Sequence, residues 1–522
     1  MKRLNLTMSE SPVRVRMAPS PTGPFHIGSA RTALFNYLFA KRYQGKFIVR
    51  IEDTDLERSK PEWEENIKES LNWLGLNYDE GPDKAGEFGP YRQSERKAIY
   101  KKYLARLIET KQAYYCFCSA EELEAHRQYL VSQGLPQVYS EKCQSLSPVE
   151  AEKKRAEGER CVIRFRAPKK DVAFEDLLRG KIKYDTATFG DMVIAKDLET
   201  PLYNLACVID DFEMKISHIL RGEEHLSNTP KQILLAWALG IQPPQFLHLP
   251  LILNQQRAKL SKRDPSIAAK VSDYKEQGYL PEAVVNFIAL LGWNPGDDRE
   301  FFSLSELVNE FSIERLQTSG AVFNVQKLDW LNGFYIRKMP LAELTNRCVP
   351  FLIQSGLIAP LWGKAEAAPL VYSSDFTVLE YEAVETKEKY KFSDLARMIA
   401  LYQERLKKLI EISELIDLFF QKELNYPTEL LVWKKMERGE LSPVLNQLET
   451  LLLRIQEGDW IKEKLEKAIM VEAEKIGDRG RLLWPLRVAL SGKTASAGPF
   501  EIAEVLGRRK TIQRIKEAQK KL

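Results

Sequence analysis

The amino-acid sequence predicts an α/β protein in two parts, a parallel-sheet half that carries chemistry and a helical half behind it. Three observations predict this plan. Residues 13–55 run as a short β-rich segment, a Gly/Pro loop, an apolar-periodic helix and a second β-rich segment, an order that favours a parallel sheet with ligands at the carboxyl ends of its strands. Residues 191–225 are again strand-rich and read as the other half of that sheet. From 341 to 522 almost everything reads as helix, with long charged faces such as YQERLKKLIEISELIDLFFQKEL.

In chain order, VRVRMA (13–18) is the first strand and PSPTGPFHIG (19–28) the loop. The helix follows from Ser29, with Ala30, Ala33, Leu34, Tyr37 and Leu38 on one face, and FIVRIEDTD (47–55) is the second strand. Between 61 and 188, helical segments surround a cysteine group, which predicts an insertion. The uncharged stretch 232–256 holds His248 and is cut by Pro243, Pro244 and Pro250, so it reads as a buried helix, a turn and a buried strand rather than a membrane span. Residues 282–292, 304–311 and 328–331 are short amphipathic helix candidates bounded by Pro, Ser or Gly. No fixed-period repeat or low-complexity tract interrupts the chain.

At about 150 residues per domain, 522 residues are enough for three or four domains. An apolar fraction of 44% with 29% charged residues excludes disordered, collagen-like and disulfide-stapled classes. The net charge of +4 excludes a general nucleic-acid coat, yet 501–522 alone holds seven basic and three acidic residues, so the basic excess is segregated. The first residues, MKRLNLTMSESPVRVR, contain no apolar run of signal-peptide length, which predicts a soluble cytoplasmic protein. Cys161, Cys207 and Cys348 are scattered and read as small core residues.

Two motifs carry chemistry. In the loop 19–28, Gly23 and Gly28 let backbone approach a ligand, and the helix N-terminus that follows is an anion site, with His26 at its mouth. Alone, this also reads as a tight turn with a surface histidine. It is not a phosphate loop of the Gly-x4-Gly-Lys-Ser/Thr type, and Ser491-Gly492-Lys493-Thr494 is a decoy because Arg487 stands where the first glycine is required. The second motif, Lys259-Leu260-Ser261-Lys262-Arg263, places four cations between Arg257 and Arg263, able to clamp a polyphosphate and stabilise departing pyrophosphate. Alone it is also how a solvated loop reads. The pairing of the two is far more specific than either.

These residues resemble the class I aminoacyl-tRNA synthetases, specifically the bacterial-type glutamyl-tRNA synthetases. His26–Ser29 matches the HIGH motif with Ser29 in the last place, and Lys259–Arg263 matches the KMSKS loop. RMAPSPTGPFHIGSARTALFNYLFA, FIVRIEDTD, WLGLNYDEGP, GPYRQSER, RGEEHLSNTP, GYLPEA and LDWLNGFYI read as family blocks in family order across 16–336, and LRVALSGKTASAGPFEIAEVLG extends the match. The resemblance implies a Rossmann-type catalytic domain in two halves (1–110 and 191–260). It also implies an inserted tRNA acceptor-binding domain (111–190), a KMSKS and stem-contact helical domain (261–340) and an all-α anticodon-binding region (341–522).

The implied activity is glutamate–tRNA ligation: glutamyl-adenylate forms from L-glutamate and ATP, and the glutamyl group passes to the terminal ribose of tRNA(Glu), with tRNA(Gln) as a further acceptor in some relatives. Implied partners are ATP with magnesium and tRNA, with no membrane, and a monomer is the family expectation. A glutamate substrate needs cations for two carboxylates and an anion for its ammonium. Arg16 offers the planar two-pronged geometry for the side-chain carboxylate, Arg221 for the α-carboxylate, and Glu52 meets the ammonium. By resemblance Ala18, Ser20, Tyr203 and Cys207 complete that site, although many relatives carry an amide at the position of Cys207. His26, Gly28, Glu224, Ile252 and Lys262 hold ATP, and His26, Lys259 and Lys262 carry the catalytic electrostatics.

Asp53 and Asp55 alternate away from Glu52 and read as turn anchors, and His218 and His225 as packing or helix-end residues. Related synthetases hold zinc with a Cys-x-Cys pair, a third Cys and a Tyr or His. The His position is Ser145 here, so the implied ligands are Cys116, Cys118, Tyr139 and Cys143, with metal-free thiols as the other reading. Arg405 is a candidate anticodon contact. Two alternatives remain open at this point, a small-molecule nucleotidyltransferase of the same HIGH superfamily and a non-catalytic tRNA-binding relative. The first would not need Arg16, Glu52 and Arg221 together, and the second should have lost His26 or the lysine pair.

Overall fold

The computed structural model describes residues 12–260, 270–361 and 380–522. Ser261, Lys262 and Arg263 of the second motif therefore lie outside the described residues. Packing divides the chain into two compact units, Met1–Lys275 with Pro281–Leu328, and Glu276–Leu280 with Asp329–Leu522.

In the first unit, β1 (Arg14–Met17) and β2 (Lys46–Val49) pair in parallel with Arg16 opposite Ile48, and α1 (Ile27–Arg42) crosses between them. Ala30, Ala33, Leu34 and Leu38 are buried as their spacing predicts, but so are Phe35, Asn36 and Phe39. The one-faced helix of the sequence reading is covered on more sides because Phe35 also packs on Phe311, ring centroids 5.7 Å apart. Next come α2 (Pro61–Trp73), α3 (Lys97–Glu109), β3 (Ala113–Cys116), α4 (Ala120–Ser132), α5 (Pro148–Ala156) and β4 (Val162–Phe165). The hairpin β5 (Asp171–Asp176) and β6 (Gly180–Asp185) and the short β7 (Val193–Ala195) follow.

The stretch 191–225 corrects the sequence reading. Its centre is a helix, α6 (Tyr203–Glu213), followed by β8 (His218–Gly222). Leu205, Ala206 and Ile209 recur at helical spacing and are fully buried, so the apolar run that looked like a strand is a helix packed on several sides. His218 thus opens a strand and His225 lies in the 3-10 turn Glu223–Asn228. The stretch 232–256 forms the expected helix α7 (Thr229–Ala238), turn and strand β9 (Gln245–Leu249), and among the described residues no helix is long and apolar enough to cross a membrane.

Sheet membership crosses the boundary drawn at 190. β3, β4 and β7 form one three-stranded sheet, whereas β5 and β6 join β9 and β8 in the order β6-β5-β9-β8. The β1–β2 pair meets that second sheet where the Ser217 amide donates to the Arg14 carbonyl, 2.9 Å.

The second unit is mainly helical, with Leu341–Gln354, Leu441–Leu453, Lys462–Ile476, Gly480–Ser491 and Pro499–Lys520 as its longer helices. Two features depart from an all-α reading. Ile358–Pro360, Glu380–Ala383 and Lys389–Lys391 form a small antiparallel sheet. The segment 402–424 is a chain of turns around the short helix Ile412–Ile416 instead of one long helix. Its buried Leu418, Phe419 and Phe420 are consecutive, and no single helix face holds three consecutive apolar residues.

Candidate active site

A cavity of about 970 Å³ opens in the first unit at the carboxyl end of β1, against the start of α1 and the turn after β8. His26 is part of its lining. The helix starts at Ile27, two residues before the sequence reading placed it, because His26 is its N-cap: Nδ1 accepts from the Ser29 amide, 3.2 Å. A neutral ring with Nδ1 as acceptor carries its proton on Nε2, which lies 3.0 Å from Ser29 Oγ. Gly28 permits this fold-back, since a Cβ there would sit 3.0 Å from the imidazole Cε1.

Among the residues expected to bind glutamate, Arg16, Ala18, Ser20, Glu52, Tyr203 and Arg221 all line the cavity. So do His26, Gly28, Glu224 and Ile252 of the ATP set, and Lys259. Cys207 does not. It is buried behind the wall, its Sγ 3.3 Å from Asp211 and 3.6 Å from Arg16. Burial pushes its thiol up to about 12, which keeps it protonated and able to donate to Asp211. Lys262 lies outside the described residues.

The Arg16 end rests on residues that the sequence reading missed. Arg16 donates through Nε to Asp211 Oδ1 (3.0 Å) and through Nη2 to Oδ2 (3.3 Å). Arg50, on the strand extension after β2, donates to the same Asp211 (2.7 Å) and to Glu52 (2.9 Å). One residue away, Asp210 accepts from Arg96 (2.6 Å), Gln93 (2.8 Å) and Tyr100 (2.9 Å). Burial would raise the Asp211 carboxyl, but Arg16 and Arg50 hold it well below the usual carboxylate range. For Glu52 burial dominates and raises it, with Arg50 and Arg16 offsetting part of the rise. The signal that could have revealed this cluster is the pair Asp210-Asp211 directly after an apolar run, LACVIDD.

At the other end, Arg221 is bound by uncharged groups. Its Nε donates to His248 Nε2 (3.1 Å) and its Nη2 to Thr229 Oγ1 (2.8 Å). Nη1 is buried and has no hydrogen-bond partner among the described residues. Tyr203 and His225 close this side, Oη to Nδ1 3.1 Å. Burial, followed by the charge of Arg221, lowers His225 to about 4, so its ring is neutral.

Asp53 accepts from the Ser94 amide (2.8 Å) and hydroxyl (2.6 Å), and Asp55 pairs with Arg58 (2.6 Å), which are turn-anchoring contacts. The expected cysteine group does assemble. The sulfurs of Cys116, Cys118 and Cys143 lie within 4.8 Å of one another, and Tyr139 Oη is 3.3 Å from both Cys116 and Cys118.

In the second unit, Arg405 donates to the Ser496 carbonyl (2.6 Å), and Lys493 of the decoy motif is paired with Asp417 (2.5 Å). The basic stretch 501–522 is partly turned inward. Arg508 bonds the Ile455 and Leu453 carbonyls (both 3.0 Å), Lys510 pairs with Glu388 (2.8 Å), and buried Arg514 donates to the Gln421 carbonyl (2.6 Å).

Comparison with known proteins agrees with this geometry. Residues 12–330 match the catalytic domain of the class I tRNA synthetases (E and Q), and residues 344–519 match an anticodon binding domain. A glutamate–tRNA ligase of Geobacillus stearothermophilus is 44% identical, covering 97% of this chain and 98% of its own length. One from Carboxydothermus hydrogenoformans is 42% identical over 96% of this chain and 99% of its own. A crystal structure of a glutamate tRNA ligase from Elizabethkingia meningosepticum, in complex with its amino acid, superposes with a TM-score of 0.82 at 33% identity, covering 98% of this chain and 100% of that one. With a cavity built from the HIGH-type loop, and with matches to both a catalytic and an anticodon-binding part, the chain belongs to the class I tRNA synthetases of the E and Q group.

Proposed function

We propose that the protein is a glutamate–tRNA ligase. The observation that carries this reading is the charge makeup of the cavity, whose lining brings together two arginines, Arg16 and Arg221, and one carboxylate, Glu52, a set complementary to a dicarboxylate that bears an ammonium. In the first step an α-carboxylate oxygen attacks the α-phosphorus of ATP, forming glutamyl-adenylate and releasing pyrophosphate. In the second, a hydroxyl of the terminal tRNA ribose attacks the activated carbonyl and AMP departs. ATP enters with magnesium as its counter-ion.

The protein's own groups bind, orient and stabilise charge, and no side-chain nucleophile takes part. Arg16 and Arg221 fix the two carboxylates and Glu52 the ammonium. Ala18, Ser20 and Tyr203 line the amino-acid site, and Cys207 acts only from behind it, through Arg16 and Asp211. His26, Gly28, Glu224 and Ile252 surround ATP, while Lys259 and Lys262 meet the charge that develops on departing pyrophosphate.

Residues 111–190 then serve the acceptor end of tRNA, 261–340 its stem and 341–522 its anticodon, in a cytoplasmic monomer. Cys116, Cys118, Tyr139 and Cys143 suit a structural zinc. Four ligands in a tetrahedron of Zn–S bonds place sulfurs about 3.8 Å apart, and Cys118 and Cys143 are 3.6 Å apart.

Aminoacylation with ATP and labelled glutamate, using separate transcripts of tRNA(Glu) and tRNA(Gln), tests the function. Charging of tRNA(Glu) alone gives a discriminating enzyme, and charging of both gives one that works upstream of an amidotransferase. Charging of neither by folded protein overturns the proposal in favour of a nucleotidyltransferase.

A further inference from the structure

We infer that His248, anchored by Asp176, is a positioning residue that orients the guanidinium of Arg221 toward the substrate α-carboxylate, an inference that rests on the proposed role of Arg221. Three strands bring these residues together. β8 and β9 run parallel with Arg221 opposite His248, and β5 runs parallel to β9 with Asp176 opposite Phe246, two residues before His248. The side chains of Asp176 and His248 are wholly buried.

The hydrogen bonds assign the direction of the relay. Asp176 Oδ1 accepts from the amides of Leu178 (3.0 Å) and Arg179 (2.9 Å). Its Oδ2 accepts from the His248 amide (3.1 Å) and from His248 Nδ1 (2.7 Å). With its carboxylate pinned by those contacts, Asp176 fixes the imidazole in the tautomer protonated at Nδ1. Nε2 is then left as an acceptor, and Arg221 Nε donates to it.

The consequence is electrostatic as well as geometric. Asp211 meets Arg16 with a full negative charge, whereas a neutral imidazole and the Thr229 hydroxyl orient Arg221 without cancelling its charge. The unpartnered Nη1 and the unneutralised cation remain for an anionic ligand. Asp176 reaches this site from the β5–β6 hairpin, which extends the β8–β9 sheet, and so acts on Arg221 only through His248.

The test separates positioning from folding and from the role of Arg221 itself. Glutamate KM, ATP KM and kcat for aminoacylation, together with Tm, are measured for His248→Asn, His248→Gln, Asp176→Asn and Arg221→Gln. The Asn amide at 248 still reaches Asp176 but not Arg221, and is expected to raise glutamate KM by about 10- to 100-fold with ATP KM unchanged. The Gln amide carries an oxygen to the level of Nε2 and is expected to recover most of that loss. Asp176→Asn shifts glutamate KM in the same direction by a smaller factor, and keeps the test decisive if His248→Asn does not fold. A glutamate KM within about twofold of wild type in His248→Asn overturns the inference, as does an equal loss in the Asn and Gln variants that tracks Tm. If Arg221→Gln leaves glutamate KM unchanged, the proposed role of Arg221 fails as well. If it raises KM while the His248 variants do not, only the positioning role fails.

Discussion

Arg16 and Arg221 line the same cavity, yet Arg16 is paired through two nitrogens with Asp211, whereas Arg221 is held by an imidazole and a hydroxyl. At the Arg16 end the cations Arg16 and Arg50 meet the anions Asp211 and Glu52, so the cluster is close to neutral before any substrate arrives. At the Arg221 end no carboxylate hydrogen-bonds or ion-pairs with the guanidinium among the described residues, and one nitrogen is left over. The difference separates two uses of a buried cation. Charge that is balanced inside the protein holds the fold and offers directed N–H groups; charge that is left unbalanced is available to a ligand.

The sharpest way to break this contrast is Asp211→Asn. It leaves Arg16 and Arg50 buried without their shared anion, and denaturant unfolding is expected to show a loss of about 3–5 kcal/mol. Because the folded carboxyl lies below its unfolded value, this contribution is present above the usual carboxylate range and is lost as pH falls through the depressed folded value. Next in size is Arg221→Gln. It removes a cation whose partners are neutral, so kcat/KM for glutamate is expected to fall by about 2–4 kcal/mol of transition-state binding, with a much smaller stability change than Asp211→Asn.

A smaller effect sharpens the same point for buried bases. Burial lowers His218 from 6.5 to about 4. The unfolded chain takes up a proton at 6.5 and the folded chain only near 4, so stability is whole above 6.5 and falls as pH drops across that window. His218→Gln is expected to remove a slope of up to about 1.4 kcal/mol per pH unit, read from unfolding at pH values on either side of the window. The smallest effect is expected of Cys207→Ala. The thiol stands behind the wall, so glutamate KM is expected to change by less than about threefold, and a larger change would place Cys207 in direct contact with substrate.

The metal question is separable from this contrast. About one zinc per chain is expected by elemental analysis of the purified protein, and Cys143→Ser is expected to lose it; wild-type protein prepared in zinc-containing medium yet free of zinc would contradict the assignment.

What was legible in the sequence is what lies in contiguous motifs. Arg16, His26, Glu52, Arg221 and Lys259 sit at strand ends or in loops within recognisable blocks, and they converge on one cavity. Asp211, Arg50, Asp210 and Arg96 were not legible, because their partners come from distant parts of the chain and each alone looks like an ordinary charged residue. Asp176 and His248 meet only through the parallel registers of β5, β9 and β8, which no local pattern specifies. Tyr203 and Cys207 were both expected in the amino-acid site; they lie one helical turn apart on α6, but Cys207 sits behind the wall, against Asp211. In the second unit, Lys510 and Arg514 share a helical stripe with buried Thr511, Ile515 and Ala518, so the segregated basic run is partly an internal anchor.

The most direct measurement is competition by two amides of the substrate, glutamate α-amide and glutamine, against glutamate in the aminoacylation of tRNA(Glu) by wild type and Arg221→Gln. An unbalanced Arg221 that grips the α-carboxylate predicts that wild type rejects both amides, and that Arg221→Gln loses discrimination against the α-amide while keeping it against glutamine. Equal inhibition of wild type by the α-amide and by glutamate itself, or a parallel loss of both discriminations in Arg221→Gln, would contradict it.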